Sequence, residues 1–106
     1  MPDKLIWILL GDKLGDNAQA KYLGYALKDD FACTLETKQI VYNQKHKLSN
    51  IKLQASLVSI VKCESDELDF TLAPDIVIFT GRRAVPVARW IQTQSLFKQN
   101  KLTRLI

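Results

Sequence analysis

Leu5-Ile6-Trp7-Ile8-Leu9-Leu10-Gly11-Asp12-Lys13-Leu14-Gly15-Asp16-Asn17 is the stretch that decides the fold. Six apolar residues run without a break and then stop at a glycine and two charges. A strand covered on both faces reads this way, as in a parallel sheet packed between helices. The turn from Gly11 to Gly15 follows. Asp16 then suits a helix N-cap, with Gln19 three residues on as in a capping box. The spacing predicts a helix over about 17–28, with Ala20, Leu23, Ala26 and Leu27 facing inward. Gly24 weakens that helix or lets it lie close to the sheet.

The arrangement recurs at Pro74-Asp75-Ile76-Val77-Ile78-Phe79-Thr80-Gly81-Arg82-Arg83. An apolar run over 76–79 again ends at a glycine and charges. Pro86 fits the first turn of a helix, where its missing N–H costs nothing. That helix is expected to reach about residue 95, with Val87, Ile91 and Trp90 inward. Between the two repeats, the segment 35–42 holds a second strand, clearest at Ile40-Val41-Tyr42. Ser49 or Asn50 caps a helix over about 51–62, with Leu53, Leu57, Ile60 and Val61 as its buried stripe. The acidic run 63–71 reads as a surface connection. Leu102-Thr103-Arg104-Leu105-Ile106 makes a last strand.

The order β-α-β-α-β-α-β predicts a Rossmann-like, three-layer α/β/α fold with a short, mostly parallel sheet of about four strands. Right-handed crossovers favour a central first strand, the second on one side, the third on the other and the fourth beyond it. The gap between the first and third strands is then the topological switch point, where open α/β sheets bind ligands. The chain of 106 residues is expected to be a single domain over 1–106, truncated at its C-terminus because its last strand has no following helix. A strand edge left bare in this way invites pairing with another chain.

Composition narrows the function. Hydrophobic residues at 47% and charged residues at 25% are globular values rather than disordered ones. The net charge of +4 suits an anionic ligand. No basic run is interleaved with aromatics, which argues against nucleic acid. Cys33 and Cys63 stand alone, without a CxxC partner, and are expected to be reduced, buried thiols. A single histidine leaves no zinc set, and no metal is expected. The first apolar run is shorter than the core of a signal peptide, and nothing approaches the roughly 20 apolar residues of a membrane span. A cytoplasmic protein with no membrane span is the expectation.

The two corners supply the candidate ligand-binding residues: Gly11, Asp12, Lys13, Gly15 and Asn17 at the first, Gly81, Arg82 and Arg83 at the second. Glycines let the backbone turn and approach a ligand. Guanidinium forks match phosphate or carboxylate geometry. Asp12 is the candidate general base, the catalytic assignment being otherwise open. The alternative is a plain βα turn at the first corner and a surface Arg pair, or a salt bridge from Arg to Asp12, at the second. The spacing is neither GxGxxG nor a GK[ST] P-loop. No nucleophile stands out, since Ser and Thr have no nearby His.

Gly11-Asp12-Lys13-Leu14-Gly15-Asp16-Asn17-Ala18-Gln19 resembles the N-terminal motif of the mitochondrial fission ELM (elongated mitochondria) family. Pro74-Asp75, Gly81-Arg82-Arg83 and Pro86-Val87-Ala88-Arg89-Trp90-Ile91 are similar to its second motif. The resemblance covers nearly the whole chain, the middle loosely. Members of that family are much longer and are similar to GT-B glycosyltransferases, with two Rossmann-like domains around a cleft. The resemblance implies that this chain is the N-terminal, acceptor-side part or a truncated copy. Its glycines and arginines would then face the cleft and bind an anionic or sugar ligand. A nucleotide sugar would need the missing C-terminal domain, and the fragment alone would be inactive. Two other readings stand beside this one: a non-catalytic α/β interaction module, self-associating through its last strand, and a degenerate split-gene remnant completed by a partner chain.

Overall fold

The structure, a computed structural model, describes residues 4–30 and 32–106, leaving out the side chains of residues 46 and 51. Four strands form one sheet: β1 (Lys4–Leu10), β2 (Cys33–Gln39), β3 (Ile76–Ile78) and β4 (Arg104–Leu105). Their order is β2-β1-β3-β4 and every pairing is parallel. Helix α1 (Leu14–Asp30) and helix α3 (Val85–Gln99) cover opposite faces, with the short α2 (Asn50–Leu53) between them in sequence. This is the Rossmann-like α/β layout that the strand pattern predicts, with β1 and β3 flanking the switch point.

The unbroken apolar run of β1 is explained by its two faces. Trp7 and Leu9 join Val77, Val87, Ala88 and Ile91 in a core under α3. Ile6, Ile8 and Leu10 join Ala20, Cys33 and Ile78 under α1. Registers such as Ile6↔Ile76 and Ile8↔Ile78 put like faces side by side. Asp75 fixes this register. Its carboxylate accepts from the Leu5 N–H at 2.8 Å, and Lys101 Nζ stands 3.5 Å from its other oxygen. The outer strand β2 is polar, and Lys38 holds its Nζ over the Trp7 ring, 4.9 Å from the centroid. A lysine on an edge strand also discourages pairing with other chains.

Helix α1 differs from expectation in its start and its face. It begins at Leu14, so Asp16 lies inside the first turn rather than at the cap. Leu23 and Ala26 are exposed; the buried line is Ala20 and Gly24, with Leu27 packed beside it. Gly24 is what brings the helix down, since a Cβ there would stand 2.6 Å from Ile8 Cδ1.

The middle of the chain departs furthest. The chain leaves the sheet after Ile40, whose N–H still donates to Leu10 O at 2.7 Å, and Tyr42 stands in an isolated antiparallel bridge to Ile60. The expected helix over 51–62 stops at Leu53, where Gln54 adopts φ 51°. Ser49 does cap it, accepting from the Lys52 N–H. Beyond it, long-range bonds replace the helical ladder. The Asn43 N–H donates to Ser59 O, Val61 N–H to Val41 O, and the Asn43 side chain to the carbonyls of Val58 and Ile60. Leu53 and Ile60 are still buried and Leu57 packs against the core that holds Ile60, but Val61 is only half-buried, so the apolar stripe is right in part although the helix is not.

Helix α3 runs to Gln99, longer than expected, and ends at Asn100 in the left-handed region. Val87 and Ile91 are fully buried and Trp90 packs against their core, as the pattern predicts. Both cysteines are free thiols. Cys33 is buried, but Cys63 is exposed, in a turn where the Glu64 and Ser65 N–H groups donate to Val61 O. No helix among the described residues is long and apolar enough to cross a membrane.

Candidate functional site

Both corners lie at the carboxyl end of the sheet, one after β1 and the other after β3. Since β1 and β3 are neighbours whose crossovers leave in opposite directions, their loops part and a cleft opens between them. It has a volume of about 180 Å³. Pockets that enclose a whole ligand run to roughly 300–1,000 Å³, so this one has room for part of a ligand.

The first wall is the loop 11–13 and the start of α1. Asn17 folds back on this loop. Its side-chain carbonyl accepts from the Gly11 N–H at 2.8 Å and its amide donates to Gly11 O at 2.8 Å. Gln39 Nε2, from the end of β2, donates to the same carbonyl at 3.1 Å. Asn17 thereby fixes the glycine turn that presents Asp12 and Lys13 to the cleft.

The second wall is Thr80, Gly81 and a 3₁₀ turn over Arg82–Ala84 that leads into α3. Gly81 has φ 92° and ψ 161°, which side-chain-bearing residues avoid. A Cβ there would stand 2.8 Å from Asp16 Oδ2, so the absence of a side chain lets the two corners approach. Arg82 donates to Leu48 O at 3.0 Å. Arg83 crosses the cleft and pairs with Asp12, Nη1 to Oδ1, at 3.0 Å. Arg83 is the more enclosed partner, its side chain 29% exposed against 76% for Asp12.

Tyr42 closes the base, against Gly11. Burial pushes its phenol up to about 12 from 10.0; nearby Arg83 opposes this and Asp12 adds to it. The group is therefore a neutral hydroxyl at physiological pH, able to donate a hydrogen bond. The cleft as a whole holds three cations, Lys13, Arg82 and Arg83, against the carboxylates of Asp12 and Asp16.

Seven of the eight residues expected at a ligand site line this one cleft: Gly11, Asp12, Lys13, Asn17, Gly81, Arg82 and Arg83. Gly15 does not; it lies in the first turn of α1 with open space where its Cβ would be. Arg89 is exposed on α3, away from it. Tyr42, Thr80 and Asp16 were not among the expected ligand-binding residues. Tyr42 had one usable signal, its position where the second strand leaves the sheet, beside the end of β1. Asp16 was assigned to capping, a duty that ends once the helix starts at Leu14. Among the described residues, no group of three or more His, Cys, Asp or Glu side chains is placed to hold a metal ion.

Fold and cleft together define a Rossmann-like α/β chain with a basic-leaning pocket at its switch point. No protein-family model, curated protein or solved structure matches the chain.

Proposed function

We propose that the cleft between residues 11–17 and 80–84 binds the anionic group of a sugar-type ligand. In this reading the chain is the acceptor-side domain, or a truncated copy, of a GT-B-like glycosyltransferase related to the mitochondrial fission ELM family, working in the cytoplasm. The observation that carries it is the cleft at the switch point, lined by Lys13, Arg82, Arg83 and Tyr42, with Arg83 reaching across it to Asp12. Such donors suit a phosphoryl or carboxylate group. The motifs at both corners support the family reading. A donor nucleotide sugar and the transfer reaction would come with a second domain on the open side of the cleft.

The test is direct binding. Glucose 1-phosphate, titrated by calorimetry or NMR, should bind the wild-type chain. Arg83→Gln should weaken it at least tenfold, the scale of one charge-assisted hydrogen-bonded contact. Unchanged binding in that variant would sink the assignment.

A second reading, an interaction module, is favoured by one observation. The outer edge of β4 has no neighbouring strand among the described residues, and Leu102 (83%) and Ile106 (41%), on either side of it in sequence, are exposed. Light scattering across a concentration series tests it. A dimer abolished by Leu102→Lys supports the module; a monomer at all concentrations contradicts it.

A further inference from the structure

The cleft already contains an anion of its own. Asp12 holds its carboxylate against Arg83 at 3.0 Å, from a short irregular loop between β1 and α1. Arg83 stands on the 3₁₀ turn of the second corner and is partly enclosed, whereas Asp12 is mostly exposed. The guanidinium is thus the fixed half of the pair and the carboxylate the half that can swing into water. An incoming phosphate or carboxylate that takes Arg83 Nη1 competes with Asp12 Oδ1 for it.

Resting on the reading above, we propose that Asp12 is a built-in competitor that latches Arg83 shut until a ligand anion displaces it. The carboxylate of Asp12 stands in for the ligand's anionic group in the empty cleft. Binding then exchanges one ion pair for another, and the released Asp12 turns to solvent. Every ligand that uses Arg83 is weakened by the fraction of molecules in which the latch is closed. The device raises the apparent dissociation constant of every such anion by the same factor, the inverse of the open fraction. It also keeps a partly buried arginine compensated when no ligand is bound.

The size of the effect follows from the exposure of the pair. Exposed ion pairs close with equilibrium constants of about 1.4 to 5. The open fraction is then about 0.4 to 0.17, and removing the latch raises apparent affinity about two- to sixfold.

The deciding experiment titrates inorganic phosphate, which has no sugar hydroxyls for Asp12 to read, into wild-type chain and the Asp12→Asn, Asp12→Glu and Arg83→Gln variants. Amide shifts report the binding, and a melting curve for each variant reports folding. The latch predicts two- to sixfold tighter phosphate binding by Asp12→Asn, near wild-type binding by Asp12→Glu, and loss in Arg83→Gln. Glucose 1-phosphate, run in parallel, should show the same gain in Asp12→Asn, and tighter binding than phosphate in both proteins marks a sugar phosphate as the source of the anion. Equal or weaker phosphate binding by Asp12→Asn overturns the latch, while loss in Arg83→Gln would leave the cleft reading intact. Undiminished binding by Arg83→Gln, or no binding by any of the four proteins, overturns both.

Discussion

Gly24→Ala sets two well-known effects against each other. Alanine in place of glycine inside a helix gains roughly 0.5–1 kcal/mol. Position 24 faces the sheet, however, and the new methyl group would stand 2.6 Å from Ile8 Cδ1, with Ile8 Cγ1 at 3.4 Å and Ile78 Cδ1 at 3.8 Å. Ile8 is 1% exposed, so its Cδ1 has no empty space to enter. Overpacking of this kind costs about 1–3 kcal/mol. The overpacking wins, and the variant should lose about 1–2 kcal/mol. Ile8→Val removes the one atom in conflict and alone costs about 0.5–1.5 kcal/mol. In the double variant the alanine methyl fills the space that Cδ1 leaves, the next contact being 3.4 Å. The pair should therefore be within about 0.5 kcal/mol of wild type, a coupling on the order of 2 kcal/mol. Urea denaturation of the four proteins measures it. Additive losses, or a Gly24→Ala variant more stable than wild type, would refute the close approach of α1 to β1.

Three further substitutions test the walls of the cleft and the sheet beside it. Gly81→Ala should cost about 1–3 kcal/mol, because its φ of 92° disfavours any Cβ; adding Asp16→Ala relieves the contact but not the backbone strain, so thermal melts should show only partial recovery. Thr103→Val should cost about 1–3 kcal/mol, since Thr103 Oγ1 donates to the buried Pro74 carbonyl at 2.7 Å and valine leaves that carbonyl unpaired; denaturant midpoints check it. Tyr42→Phe tests the pH dependence. The phenol's folded value, about 12, lies above 10.0, so its contribution is fully present below pH 10 and fades as pH rises toward 12. Across that window wild type should lose about 2 kcal/mol more than Tyr42→Phe, read from denaturation at each pH; parallel curves would contradict the burial of Tyr42.

Strands β1 and β3 were legible because their signal is local, whereas β2, expected to be clearest at 40–42, runs over the polar Cys33–Gln39. Apolar runs such as 5–10 and 76–78 have to be covered on both faces, and that requirement alone implies helices above and below and parallel strands between. With four strands in this order, the handedness rule left the observed layout. The two glycine corners were legible for the same reason, each being a break that follows directly on a buried strand. The middle of the chain was not legible, because non-local bonds decide it. The stripe Leu53, Leu57, Ile60 and Val61 has helical spacing, yet the hydrogen bonds that Asn43 and Val41 make with 58–61 take those backbone groups out of any helix. Nothing within 51–62 reveals a partner ten or more residues upstream. Tyr42 went unassigned for the same cause, since its place at the cleft depends on the chain leaving the sheet after Ile40. The face of α1 was misjudged because periodicity favours large apolar side chains, while the contact is made through Gly24, which has none.

The central claim is that the two corners form one ligand site. Amide resonances of the labelled chain, followed during titration with glucose 1-phosphate, test it most directly. The account predicts saturable shifts at residues 11–17 and 80–84 together, with the same dissociation constant at both corners and little change around Val58 and Trp90. Shifts at one corner alone, shifts centred on that second region, or none at millimolar ligand would contradict it.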